Sequence, residues 1–167
     1  MISDTLVQML NSQINAELQS SYHYMAMSTY ARQRNMDGFG TWLQEQAKEE
    51  LGHALKIYQY LVDLGASIEL GDVKAPKSNY HSMQEVFEDA LSTERRLGET
   101  LNDIAQKAVD TKDNTTFTFL QWFLTEQVEE VASVSSIVEK LKLVGEDGNG
   151  LLNLDMFYGQ RGLAREG

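Results

Sequence analysis

Phe39-Gly40-Thr41-Trp42-Leu43-Gln44-Glu45-Gln46-Ala47-Lys48-Glu49-Glu50-Leu51-Gly52-His53-Ala54-Leu55-Lys56-Ile57 decides the fold. Its apolar residues recur every three or four positions, so Phe39, Leu43 and Ile57, with Leu64 beyond them, form one stripe of an α-helix. The middle of that stripe carries Gln46, Glu50 and His53 where apolar residues are due. Three more segments repeat the pattern: Leu6, Leu10, Gln13, Glu17, Tyr24; Phe87, Leu91, Glu94, Leu97, Leu101, Ile104; and Leu120, Phe123, Gln127, Glu130, Val134, Ile137, Leu141. Each is apolar at its ends and acidic in its middle. No Lys or Arg lies within the stripes. A buried carboxylate without a partner costs several kcal/mol or takes up a proton. A metal ion is the most economical source of the missing positive charge.

Punctuation residues divide the chain into helices over about 4–34, 37–64, 82–109 and 113–144, with a short fifth over about 151–158. Gly65 and Gly145 act as stops, Ser82 with Glu85 forms a capping box, and Asp113 or Asn114 opens the fourth helix. Gly148-Asn149-Gly150 is read as a break, and the tail 159–167 as too polar and Gly-rich to be ordered. The first and second helices, and the third and fourth, are joined by a few residues and must be antiparallel neighbours. The connection 65–81 is long enough to run the length of the bundle, since about 17 extended residues reach ~56 Å against ~42 Å for a helix of about 28. That makes the second and third helices parallel. The four acidic interruptions, roughly 12 to 17 residues into their helices, then meet at one height whichever way each helix points. The expected fold is an all-α four-helix bundle with a long crossover and a short fifth helix, one domain over 1–167.

The bulk composition suits this. A chain of 167 residues that is 42% hydrophobic can bury a full core. Its 14 basic against 25 acidic side chains give a net charge of −11, which disfavours nucleic acid or an anionic membrane as partner and suits a cation-handling protein. The tail's Arg161 and Arg165 are too few for a DNA-binding arm. No apolar run approaches the ~20 residues of a membrane span, so a cytoplasmic protein is expected. The chain has no Cys, which removes thiolate metal sites and disulfides.

Glu17 and Glu94 as single glutamates, an intact Glu50-Leu51-Gly52-His53, and the variant Gln127-Val128-Glu129-Glu130 resemble the dimetal carboxylate pattern of ferritin-like bundles. Asn15-Ala16-Glu17-Leu18, Lys48-Glu49-Glu50 and Phe119-Leu120-Gln121-Trp122-Phe123 extend the likeness over the whole chain. The fourth helix has Gln and Glu where Glu and His are expected, as in the bacterial non-haem ferritins. The resemblance implies iron storage with ferroxidase activity: oxidation of Fe(II) by dioxygen or peroxide and deposition of ferric mineral inside a shell of twenty-four subunits. It implies Glu17, Glu50 and His53 on the first iron and Glu50, Glu94 and Glu130 on the second, with Glu50 bridging. Mixed O/N donors suit iron. Gln127 would orient a ligand or water.

Glu49, Glu126 and Glu129 lie one residue off the stripes, where a solvated face is the ordinary reading. The resemblance assigns them, with Glu130, to a third iron site. It also makes Tyr24 a hydrogen-bond partner of, or electron donor to, the iron pair. Trp122 has a weaker claim to that role, and core packing is expected for it. Met25 and Met27 are read as core fillers. Leu51 stands at the place resembling the haem-ligating Met of bacterioferritins, so no haem is expected. His23 and His81 are read as surface or subunit-contact residues. A di-iron oxidase or peroxidase of the rubrerythrin or bacterioferritin type, without mineral storage, is the alternative.

Overall fold

The computed structural model describes residues 2–164, with side chains through 160. Four long helices form the bundle: α1 (Asp4–Gln33), α2 (Asp37–Asp63), α3 (Met83–Asp110) and α4 (Asn114–Val144). A fifth, α5, spans Gly148–Ala164. No strand occurs among the described residues, and none of the helices there is long and apolar enough to cross a membrane.

Local chemistry sets the helix boundaries. Ser3, Ser82 and Asp113 each accept a backbone N–H three residues on, at 3.3, 3.1 and 3.0 Å. The capping box at Ser82 is skewed: Glu85 returns its bond to the amide of His81, at 2.7 Å. Asn35 and Lys112 take left-handed φ values of 58° and 57° at the two short turns. The next amide in each turn then reaches back to the carbonyl five residues earlier, Met36 to Ala31 and Asp113 to Ala108. Those closures reverse the chain tightly and set α1 against α2 and α3 against α4.

The crossover is fixed to α1 by a ladder of side-chain amides. Asn11 donates to Ser67 O at 3.0 Å and accepts from Glu69 N at 2.9 Å, Asn15 accepts from Gly71 N at 3.1 Å, and Gln19 both donates to and accepts from the backbone of Lys74. Spacing of four residues puts Asn11, Asn15 and Gln19 on one face, where they supply partners to an extended chain as a neighbouring strand would. Farther on, Tyr80 packs edge-on against Tyr30 at 5.4 Å and hydrogen-bonds Asp89. The connection thus climbs α1 from Asn11 to Tyr30, which makes α3 parallel to α2. Asn11→Leu strands two backbone groups in a nearly buried setting and is expected to destabilise the fold by about 1–3 kcal/mol, whereas Gln19→Leu, in solvent, costs about 0.5 kcal/mol or less. Denaturant midpoints of the two variants check this ordering; equal values would mean that the ladder does not anchor the loop.

The fifth helix departs from expectation. The Gly148-Asn149-Gly150 segment forms its first turn rather than a break, because Asp147 accepts from Gly150 N at 2.9 Å and Leu151 N bonds Asp147 O. The helix also continues through 159–164, beyond the expected end at 158; residues 165–167 of the expected tail lie outside the described residues. Packing supplies the reason. Tyr158 is buried between Phe39 and Trp42, and Asp155 accepts the Phe39 amide at 2.8 Å, capping α2 where Met36 offers no side-chain cap. Gly38 and Gly159 allow the approach: a Cβ on Gly38 would stand 1.8 Å from the Asp155 carbonyl oxygen.

Buried apolar residues fall into two clusters. One runs from Tyr24, Phe39 and Phe87 to Leu141 and Tyr158. The other holds Leu6, Leu10, Ile57, Leu101, Leu120 and Phe123. Between them lies a layer of buried polar side chains.

Candidate metal centre

Gln13, Glu17, Glu50, His53, Glu94, Gln127 and Glu130 form that layer, all at least nine-tenths buried. Both apolar clusters are needed to hold it, since each helix enters and leaves the layer through close-packed side chains that fix its rotation. Three carboxylate oxygens in the layer, Glu17 Oε2 and both oxygens of Glu50, are shut off from solvent with no hydrogen-bond partner. Native interiors rarely leave such groups unmatched. The donor set and its geometry fit a cation.

Two groupings bring ligand atoms within 4.8 Å of one another: Glu17, Glu50 and His53, and His53, Glu126 and Glu130. His53 Nδ1 lies 3.8 Å from Glu17 and 3.9 Å from Glu50, too long for hydrogen bonds and suited to converging on an ion. Glu94 stands apart from both groupings. Tyr24 donates to its Oε1 at 2.5 Å, and the Gln127 amide donates to its Oε2 at 2.8 Å and its carbonyl at 2.7 Å. Gln127 reaches in because position 98 is Gly; a Cβ there would sit 3.1 Å from Gln127 Cγ. Gln13 donates to Glu17 Oε1 at 2.7 Å and accepts from Thr100 at 2.6 Å.

Burial and mutual repulsion control protonation. Burial, then the charges of Glu94 and Glu17, push the Glu50 carboxyl well above the ordinary range. Burial raises Glu94 as well, opposed by the donors Tyr24 and Gln127. Burial and neighbouring Glu49 push Glu130 up to about 9. Burial alone would lower His53, but Glu17 beside it, with Glu126 and Glu49, raises it overall. Tyr24 is held far from ionisation by burial and by Glu94. All four shifts at Glu50, Glu94, Glu130 and His53 have one sign: the folded chain holds protons that the unfolded chain releases. Stability of the metal-free protein is therefore greatest in mild acid and declines as pH rises from the ordinary carboxyl range toward about 9. Thermal midpoints in the presence of a chelator are expected to fall over that interval, and Glu50→Gln to flatten the slope. A midpoint that climbs with pH would contradict the repulsive cluster.

The outer acids are distributed unevenly. Glu126 turns inward beside His53, Glu49 is half-buried and close enough to Glu130 to raise it, and Glu129 is exposed and in neither grouping. Trp122 is not the core residue expected. It is 42% exposed, edge-on to His53 at 5.6 Å, with Lys56 Nζ 3.8 Å above its ring. Met25 is likewise exposed, Met27 is in the core, and Leu51 is exposed. His23 is half-buried and bonds Tyr80 at 2.8 Å and Asp89 at 3.0 Å, so it ties the crossover to α3, while His81 is exposed.

Sequence reasoning gave no role to Gln13, Gly98 or Asp155. Gly98 alone left a signal, as a mid-helix glycine that costs about 1 kcal/mol relative to Ala unless something must approach closely.

The arrangement has close parallels. A family model described as Ferritin-like domain matches residues 7–144. The bacterial non-heme ferritin of Campylobacter jejuni is 38% identical over 166 residues, 99% of each chain. That of Staphylococcus aureus strain MRSA252 is 38% identical over 161 residues, 96% of this chain and 97% of the other. Among solved structures, an open pore ferritin from the hyperthermophilic archaeon Archaeoglobus fulgidus superposes with a TM-score of 0.94 at 39% identity, covering 95% of this chain and 98% of that one.

Proposed function

Because this chain belongs to the ferritin family, we propose that it stores iron, oxidising Fe(II) with dioxygen or peroxide at the buried carboxylate layer and depositing the ferric product inside a homo-oligomeric shell of twenty-four subunits. The observation that carries this reading is the set of three unpartnered, fully enclosed oxygens on Glu17 and Glu50 beside His53. Glu17, Glu50 and His53 take the first iron; Glu50, Glu94 and Glu130 take the second, with Glu50 shared. Iron displaces the protons held by the raised carboxyls, so ion binding and proton release are coupled. In this reading Gln127 and Tyr24, which donate to Glu94, orient it toward the second iron, and Tyr24 supplies an electron while passing its proton to Glu94. The reducing cytoplasm, where Fe(II) is available, is the setting this activity needs.

Loading with Co(II), followed by its visible absorption, tests the centre, with at least two ions per subunit expected. Light scattering tests storage, since a particle of monomer or dimer mass has no cavity and would leave only the oxidase reading.

Glu49, Glu126 and Glu129, with Glu130, form a third iron site that passes ferric ions inward. Glu126 and Glu49 are already turned toward Glu130, and Glu129 joins by a rotamer change. Glu49→Ala or Glu129→Ala is expected to lower the iron bound per subunit by one while the pair still oxidises. Anomalous scattering from iron-soaked crystals decides it: two peaks per subunit in the unmodified protein would leave these acids as solvated surface.

A further inference from the structure

Gln13 and Glu17 stand four residues apart on α1, so their side chains share one face of the helix on successive turns. Gln13 is buried, and both ends of its amide are engaged. Its Nε2 donates to Glu17 Oε1 at 2.7 Å, and its Oε1 accepts from Thr100 Oγ1 on α3 at 2.6 Å. Chemistry fixes the order of this chain. An ionised carboxylate only accepts, whereas a hydroxyl can donate to an amide carbonyl, so the NH2 faces Glu17 and the carbonyl faces Thr100. Thr100 is itself within 2.9 Å of Leu97 O in its own helix. A polar chain thus runs from α3 through Gln13 to one oxygen of Glu17 and stops there. The other oxygen, Glu17 Oε2, is enclosed and without a partner, 3.8 Å from His53 Nδ1. Glu50 differs, with both oxygens open, and so does Glu94, with both engaged by Tyr24 and Gln127.

We propose that Gln13, steadied by Thr100, is a positioning residue that restricts Glu17 to ligation of the first iron through a single oxygen. The proposal rests on the iron-oxidising reading of the layer. A glutamate carboxylate can hold a cation through one oxygen or through both. Turning Glu17 Oε1 onto the ion would break its bond to Gln13 and leave a buried amide N–H without an acceptor, a costly loss in an enclosed layer. Hydrogen bonds to an ionised acceptor are also among the stronger ones, and the observed 2.7 Å lies in their range. Glu17 therefore keeps Oε1 on Gln13 and offers Oε2. The consequence is a coordination position left unfilled on that iron, and metal sites that carry out chemistry keep such a position open for the reactant. Glu50, open at both oxygens, can serve two ions; Glu17, tied at one oxygen, serves one. Ligand roles within the layer are thus set by which oxygens the neighbouring side chains occupy.

Redox-inert Zn(II) reports the ligation in crystals, and Co(II) reports it in solution, where visible absorption weakens as coordination number rises. Gln13→Met keeps the length of the side chain and removes the amide. Thr100 still has Leu97 O within reach, so Glu17 alone loses a partner. In the unmodified protein soaked with Zn(II), Glu17 is expected to bind through Oε2 only; in Gln13→Met it should bind through both oxygens, with a weaker Co(II) spectrum at unchanged stoichiometry. Initial Fe(II) oxidation should fall about tenfold, the lower end of what outer partners of metal ligands are worth. Thr100→Val leaves the Gln13 amide in place but untethered and should give a smaller loss, and the double variant should match Gln13→Met alone, because Thr100 acts through Gln13. Should Gln13→Met fail to fold, Thr100→Val supplies the same crystal and Co(II) readouts. Glu17 still bound through one oxygen in the variants overturns the proposal, as do losses that multiply in the double variant. A lowered thermal midpoint with spectrum and oxidation rate unchanged also overturns it, and would leave Gln13 a purely structural contact. If the unmodified protein fails to bind at least two Co(II) per subunit, the iron-oxidising reading itself falls, an outcome distinct from failure of the positioning role.

Discussion

Glu50→Ala is expected to lower the initial rate of Fe(II) oxidation by about a hundredfold or more, since even groups that only orient a metal ligand are worth about 10–100-fold. Among the described residues, Glu50 is the one carboxylate with both oxygens enclosed and unmatched, and it lies against Glu17 and His53 on one side and feels Glu94 and Glu130 on the other. Its loss removes a donor from both irons at once. His53→Ala should be nearly as damaging, because His53 is the one residue that belongs to both groupings of ligand atoms among the described residues. Stability separates a metal centre from a structural polar layer. The metal-free protein holds a carboxyl at position 50 against burial and like charge, so Glu50→Ala relieves repulsion and the thermal midpoint should hold or rise. His53→Ala, by contrast, forfeits edge contacts to Trp122 and Phe123 and should lose a little. Unchanged oxidation rates in either variant would sink the assignment, and a midpoint several degrees lower for Glu50→Ala would favour the structural reading.

Deleting residues 148–167 is expected to cost both assembly and bundle stability. The outer side of α5 carries Leu152 and Met156, at 55 and 63% exposure, beside Phe157, which is 42% exposed and stands edge-on to Tyr158. In the proposed shell that face meets other copies, so truncated chains should fail to form full-size particles. The buried side has an intramolecular role that the sequence did not suggest. Tyr158 fills a space between Phe39 and Trp42, Leu151 and Leu154 pack on the same cluster, and Asp155 caps α2. Loss of one large aromatic from a core costs about 3–5 kcal/mol, and loss of a cap about 1 kcal/mol more. Helicity, denaturant midpoint and particle size are measured on the same truncated chain. Full-size shells with an unchanged midpoint would show the segment to be dispensable.

The number of helices, and the length and pairing of the four long ones, were legible because each rests on a periodic signal within one segment: apolar stripes at 3.6-residue spacing, Ser82 and Asp113 as caps, Gly65 and Gly145 as stops. The level of Glu17, Glu50, Glu94 and Glu130 was legible for the same reason, since counting residues along a rigid helix measures height. What the counting could not supply was direction across the bundle. Glu126 and Glu129 sit equally one step off the stripe, yet Glu126 faces His53 and Glu129 faces away. Helix rotation decides that, and rotation is set by packing against three other segments. Trp122 was misjudged on the same account.

Pairings between distant segments were the other silent class. Asn11 with Ser67 and Glu69, Gln127 with Glu94 across Gly98, and Asp155 with Phe39 join residues 33 to 116 positions apart. An amide or carboxylate on a helix surface looks the same in sequence whether it faces water or a partner. Sequence alone determined which helices form and at what height the acids meet, because both follow from local spacing. Only the tertiary structure decided which polar groups are satisfied and which are left open, because a hydrogen bond is made or missed within a few tenths of an ångström between atoms that the chain brings together last.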